Sequence, residues 1–119
     1  MSTLKIGIAS YEQMKARTLA IAGGAGRSPI EPKVWFTSIE SFAKVLSGNN
    51  RDLLRVIAQN EPHSIEELAR LTGRRKSNLS RTLKRMASYQ LVRLERGEHG
   101  RMAPKLNYDR VALNLSLLD

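Results

Sequence analysis

The chain has 119 residues, 41% hydrophobic and 26% charged, with no cysteine and a formal net charge of +9. That length fits one domain, or one domain with a small appendage, and the apolar share is too high for a disordered chain. Disulfides and thiolate metal sites are excluded, while the charge favours a polyanionic partner.

The charge is uneven. Residues 1–49 hold six Lys/Arg against three Asp/Glu, residues 50–90 nine against four, and residues 91–119 five against four. The N-terminus lacks the basic-then-apolar plan of a signal peptide, and no apolar run approaches the ~20 residues of a membrane span. A cytoplasmic protein with no membrane partner is expected.

In chain order, Leu4, Ile6 and Ile8 alternate with Lys5 and Gly7, a short half-buried strand. Ser10 and Gln13 form a capping box for a helix whose Met14, Leu19, Ala20 and Ile21 are expected to face the core, ending at Gly23-Gly24. Ala22 to Pro32 reads as loop. Lys33–Thr37 reads as a second strand. Ser38 caps the next helix, with Ile39, Phe42, Ala43 and Leu46 at helical spacing, and Gly48-Asn49-Asn50 is expected to stop it and to offer a cap for the helix after it. Leu53, Leu54, Ile57 and Ala58 mark one face of an amphipathic helix closed by Glu61-Pro62.

Ser64 and Glu67 form another capping box, with Ile65, Leu68, Ala69 and Leu71 expected inward. Gly73 closes that helix, and the next is expected from about Lys76 to Tyr89. Leu91–Glu95 and Met102–Leu106 read as strands joined by Arg96–Arg101, with Pro104 confining the second to an edge or bulge. Val111, Leu113, Leu115 and Leu117 alternate with polar or small residues, an amphipathic C-terminal strand. It is expected to pack with the strand and helix of residues 4–22, within the chain or across a two-fold dimer.

The helix pair around Gly73 carries the strongest signal. Small Ala69 suits a close helix crossing, Gly73 takes the turn, and Leu79, Leu83 and Met86 plug the second helix into the core. From Arg74 to Arg85 there are six bases and no acid. Short polar residues at the start of the second helix let it approach base edges closely. Ser77, Asn78 and Arg81 are therefore the expected base contacts; Arg on guanine and Asn on adenine each discriminate by about 1–3 kcal/mol. Arg74, Arg75, Lys76, Lys84 and Arg85 are expected to neutralise phosphates, which adds affinity without sequence choice. Arg96 and Arg101 flank the loop expected to serve as a wing.

These residues resemble the winged helix-turn-helix regulators of the broad MarR-like kind. The resemblance rests on Ser64-Ile-Glu-Glu-Leu-Ala, Gly73, Lys76-Ser-Asn-Leu-Ser-Arg-Thr-Leu-Lys-Arg-Met86 and Gln90-Leu-Val-Arg-Leu94, and covers about residues 50–106. It implies that the second helix reads the major groove while the wing touches flanking DNA. Arg75 stands where that family commonly caps the helix with a small hydroxylated residue. The layout from Val34 to Leu46 followed by this module is also similar to small antitoxin-type DNA-binding regulators, which implies autoregulation and a toxin partner.

Other readings are weaker. Ala22–Ser28 lacks the preceding strand and the Lys of a phosphate loop. Two histidines without cysteine make a poor metal site, and adjacent Glu66 and Glu67 point in different directions. No metal, cofactor or enzymatic activity is expected. Trp35 and Phe36 suit a core or dimer interface better than base stacking. The expectation is therefore an α+β chain: a strand-helix and strand-helix extension over residues 1–49, then a winged helix-turn-helix with a C-terminal strand over 50–119. Its expected role is a homodimeric, sequence-specific double-stranded DNA-binding regulator, a repressor of transcription. The alternative is an antitoxin that also holds a toxin protein, through a surface containing Trp35, Phe36 and Phe42.

Overall fold

A computed structural model describes residues 2–25 and 32–118. Most of the expected loop, residues 26–31, lies outside the described residues, as does the side chain of Ile21. The fold mixes α and β as expected. Among the described residues no helix is long and apolar enough to cross a membrane.

Strand β1 (Thr3–Ile8) buries Leu4 and Ile6 and exposes Thr3 and Lys5, the alternation that the pleat demands. The Ser10–Gln13 box is reciprocal: the Gln13 N–H donates to Ser10 Oγ at 3.2 Å, and the Ser10 N–H to Gln13 Oε1 at 2.7 Å. It opens α1 (Tyr11–Ala20). The expected inward stripe does not form: α1 buries no residue fully and Leu19 is 65% exposed. Leu19 follows Met14 by five residues, so the two lie on different faces. Gln13, Met14 and Arg17, at helical spacing, are the half-covered side chains. Beyond α1 a looser turn, Ile21–Ala25, takes Gly24 to φ 99°.

Strand β2 is Val34–Phe36. Ser38 caps α2 (Ile39–Val45), its Oγ accepting from the Ser41 N–H at 3.1 Å. Here Ile39 and Ala43 are exposed, Phe42 and Leu46 half-buried, and Val45 enters the core. Seven residues make too short a helix for its spacing to define one face. Helix α3 (Gly48–Asn60) begins at Gly48, so the glycine opens this helix and does not stop the previous one. Ser47 is its cap, accepting from the Asn50 N–H at 3.3 Å.

Leu53 and Ile57 bury the inner face of α3, Leu54 is half-buried and Ala58 is exposed. Glu61 ends the helix in the left-handed conformation (φ 46°) before buried Pro62. Helix α4 (Ile65–Thr72) is capped by Ser64, whose Oγ accepts from the Glu67 N–H at 3.0 Å. The Glu67 carboxylate reaches one residue further back than a capping box requires, to the His63 N–H at 2.8 Å. Leu68 is buried, but Leu71 is 47% exposed, contrary to expectation. The inward face is Ile65, Leu68, Ala69 and Thr72, and Leu71 falls at its margin.

Gly73 turns the chain at φ 74° into α5 (Lys76–Ser88), which buries Leu79, Leu83 and Met86 completely. Strands β3 (Val92–Arg96) and β4 (Met102–Leu106) form an antiparallel ribbon running from Val92↔Leu106 to Arg96↔Met102. Pro104 sits opposite Leu94, tolerated because both strands of a two-stranded ribbon are edges. Strand β5 (Arg110–Leu115) returns to the N-terminus and pairs in parallel with β1, giving the order β2-β1-β5. One cluster of buried side chains joins Leu4, Ile6, Val34 and Phe36 of this sheet to Leu53, Ile57, Leu68, Leu79, Leu83 and Met86 of the helices.

Candidate nucleic-acid interface

The core faces of α4 and α5 fix what α5 shows outward. At about 100° per residue, Lys84, Ser77, Arg81, Arg85 and Asn78 fall in that order across one arc of ~120°. Leu79, Leu83 and Met86 occupy the opposite side and are fully buried. All five outward residues are exposed. The expected base contacts and two of the expected phosphate contacts therefore share one accessible face.

The N-terminus of α5 adds to this field. Arg75 holds the cap position with no side-chain hydrogen bond, and the first turn contains no acid. The first amides point outward from the positive end of the helix dipole, which suits a phosphate oxygen.

Two of the six bases are committed elsewhere. The half-buried Arg74 donates through Nη2 to the Asn49 carbonyl at 2.7 Å and through Nη1 to Asn50 Oδ1 at 3.2 Å. It ties the turn after α4 to the first turn of α3. Lys76 falls about 80° beyond the edge of that arc, and its ammonium contacts the Glu66 carboxylate on α4. That hydrogen bond, helped by the helix's own backbone, lowers the Glu66 pKa from 4.5 to about 2. No ion pair among the described residues holds Arg75, Arg81, Lys84 or Arg85.

Lys44 of α2 was not singled out from the sequence. It lines a cleft of about 230 Å³ with Asn50, Arg81 and Arg85, so the basic face extends beyond α5. Only the summed charge of the chain hinted at it, because it is remote from Arg81 in sequence. Arg96 and Arg101 are both exposed at the tip of the β3–β4 ribbon, where the Gly97 N–H donates to the Arg101 carbonyl at 2.7 Å. Glu98 and His99 form that tip, with His99 at φ 58°.

The aromatic surface expected from Trp35, Phe36 and Phe42 loses Phe36 to the core, while Trp35 and Phe42 stay half-buried. Phe36 is buried, stacked on Tyr89 at 4.0 Å and edge-on to Phe42 at 5.5 Å. The Trp35 ring lies against Gly7 with the Arg17 guanidinium 5.0 Å from its centroid. Those rings are engaged within the chain, and Phe36 has no surface to offer a protein partner.

The HVO_A0114 family model matches residues 45–113, more than half of the chain, and the chain belongs to that family. The matched region runs from the end of α2 into β5 and includes the whole basic face of α5. The designation names no activity. No curated protein and no solved structure matches the chain.

Proposed function

We propose that this chain is a sequence-specific double-stranded DNA-binding regulator that represses transcription, with α3, α4, α5 and the β3–β4 ribbon acting as a winged helix-turn-helix. One observation carries the reading. Ser77, Asn78 and Arg81 stand exposed on α5, directly opposite a stripe buried so completely that the helix cannot turn this face away.

In this reading α5 enters the major groove. Ser77 and Asn78 are short enough to let the first turns approach base edges, and Arg81 reaches a guanine through two hydrogen bonds. Arg75, Lys84, Arg85 and Lys44 neutralise flanking phosphates, and the open amides of the first turn add a phosphate contact. Arg96 and Arg101 meet the backbone or minor groove beside the site. Arg74 holds the α4–α5 turn against α3, and Glu66 draws Lys76 away from the DNA. The protein acts by occupying DNA and carries no chemistry of its own; its compartment is the cytoplasm.

Gel shifts on the DNA upstream of its own coding sequence test this. Binding that survives excess unrelated duplex and falls when Arg81 becomes Ala supports the reading. Equal affinity for all duplexes refutes the sequence-specific claim. Preference for hairpin or single-stranded RNA refutes the duplex claim.

A further inference from the structure

We infer that the outer edge of β5 is the surface on which two copies of this chain pair. Every residue of β5 is exposed, although its inner edge is registered with β1 over six residue pairs. Leu4, Ile6 and Ile8 lie beside Val111, Leu113 and Leu115, so the apolar face of β1 continues onto β5. Leu4 and Ile6 are completely buried, yet Val111, Leu113 and Leu115 are each more than one-third exposed. The apolar face therefore runs past the point where the chain covers it. Leu117 and Leu118 beyond the strand are 89% and 96% exposed.

An apolar groove lies alongside. Val111 and Leu113 line it together with Leu46, Leu54, Leu106 and Tyr108, around a volume of about 740 Å³. The outer edge of β5 carries no Lys, Pro or bulge, the usual guards of an edge that must stay single.

The strand is self-complementary, which selects a second copy as the occupant. An antiparallel pairing centred on Leu113 sets Val111 against the partner's Leu115. It sets Arg110, the one charge on the strand, against the partner's Ser116, so the cation does not meet itself. Leu117 falls opposite the partner's Asp109, at the rim of the partner's groove, where an apolar side chain has the lining it lacks in its own copy. The five open apolar side chains expose on the order of 500 Å² per copy, and a stable interface needs about 800 Å² per partner. The groove walls and the strand backbone supply the remainder. The product is a continuous six-stranded sheet with one α5 in each half. This inference does not rest on the DNA reading, and its test contains no DNA.

Analytical ultracentrifugation of the full chain is expected to give twice the monomer mass of 13.4 kDa. The double variant Leu117→Glu, Leu118→Glu changes only open side chains, so it keeps its helical circular dichroism. It is expected to raise the dimer Kd at least ~10-fold, about 1.4 kcal/mol. Because the chain has no cysteine, Leu113→Cys places a single thiol at the proposed centre. Mild oxidation is expected to link two copies, since facing strand residues come within disulfide reach. A monomeric wild-type chain overturns the inference. So does a wild-type dimer that the double variant leaves intact and that Leu113→Cys does not cross-link.

Discussion

The Lys76 ammonium sits on the Glu66 carboxylate, joining the first residue of α5 to the first turn of α4. This contact withholds one cation from the basic face. Replacing Glu66 with Gln is expected to free Lys76, tighten binding to every duplex, and steepen the salt dependence by about one phosphate contact. Salt titrations of Kd for E66Q and wild type check this.

The same pair has an acid signature. Lys76 holds the Glu66 pKa at about 2, below the ordinary 4.5. A depressed carboxyl stabilises the fold above its unfolded pKa, and that contribution is lost as pH falls from about 4.5 through about 2. Both side chains are about half exposed, so the effect on stability is screened and small. Carboxyl NMR is expected to show Glu66 titrating near 2 in the wild type and closer to its ordinary value in K76M.

Arg81 and Lys84 separate recognition from attraction. R81A is expected to lose about 1–3 kcal/mol on the preferred site and to relax preference at one base pair. K84A is expected to weaken all duplexes alike and to flatten the salt slope by about one unit. Competition binding against single-base operator variants at several salt concentrations resolves the two patterns.

Arg74 is expected to behave as a structural residue despite its charge. Its two hydrogen bonds hold the α4–α5 turn to the start of α3. R74A is expected to cost about 1–2 kcal/mol of stability, whereas R75A, exposed and without such bonds, is expected to leave Tm unchanged while weakening DNA binding. Thermal melts beside binding isotherms check the contrast.

Gly7 and Trp35 test the N-terminal sheet. A Cβ on Gly7 would lie 2.4 Å from Trp35 Cζ3, far closer than van der Waals contact allows. Gly7→Ala is expected to displace the ring and cost about 1–3 kcal/mol, the range for overpacking. Urea unfolding followed by Trp35 fluorescence reads both effects.

The locally determined parts of the fold were legible in the sequence. Ser10, Ser38 and Ser64 cap helices because a hydroxyl and an amide three residues on suffice, and Gly73 turns because its backbone can reach positive φ. The stripe Leu79, Leu83, Met86 was legible because α5 is long enough for its period to show. What failed depended on packing. Leu19 and Leu71 are apolar but fall off the covered face of their helices, and Gly48 opens α3 because Ser47 takes the cap. Arg74 read as a free cation; its partners at Asn49 and Asn50 are remote in sequence, and only the fold brings them near. Lys44 joined the basic cleft for the same reason. The alternation from Val111 to Leu117 marked a strand without saying which strand it would meet, since period alone carries no register.

The most direct test of the central claim places a DNA-cleaving iron chelate on α5. Ser77→Cys gives one attachment point in a chain without cysteine, and Glu12→Cys on α1 serves as the control. If α5 enters the groove, the Ser77 probe cuts the upstream duplex at a few discrete positions, and unlabelled wild-type protein suppresses the cuts. Diffuse cutting or none from Ser77, with equal or stronger cutting from Glu12, would contradict the account.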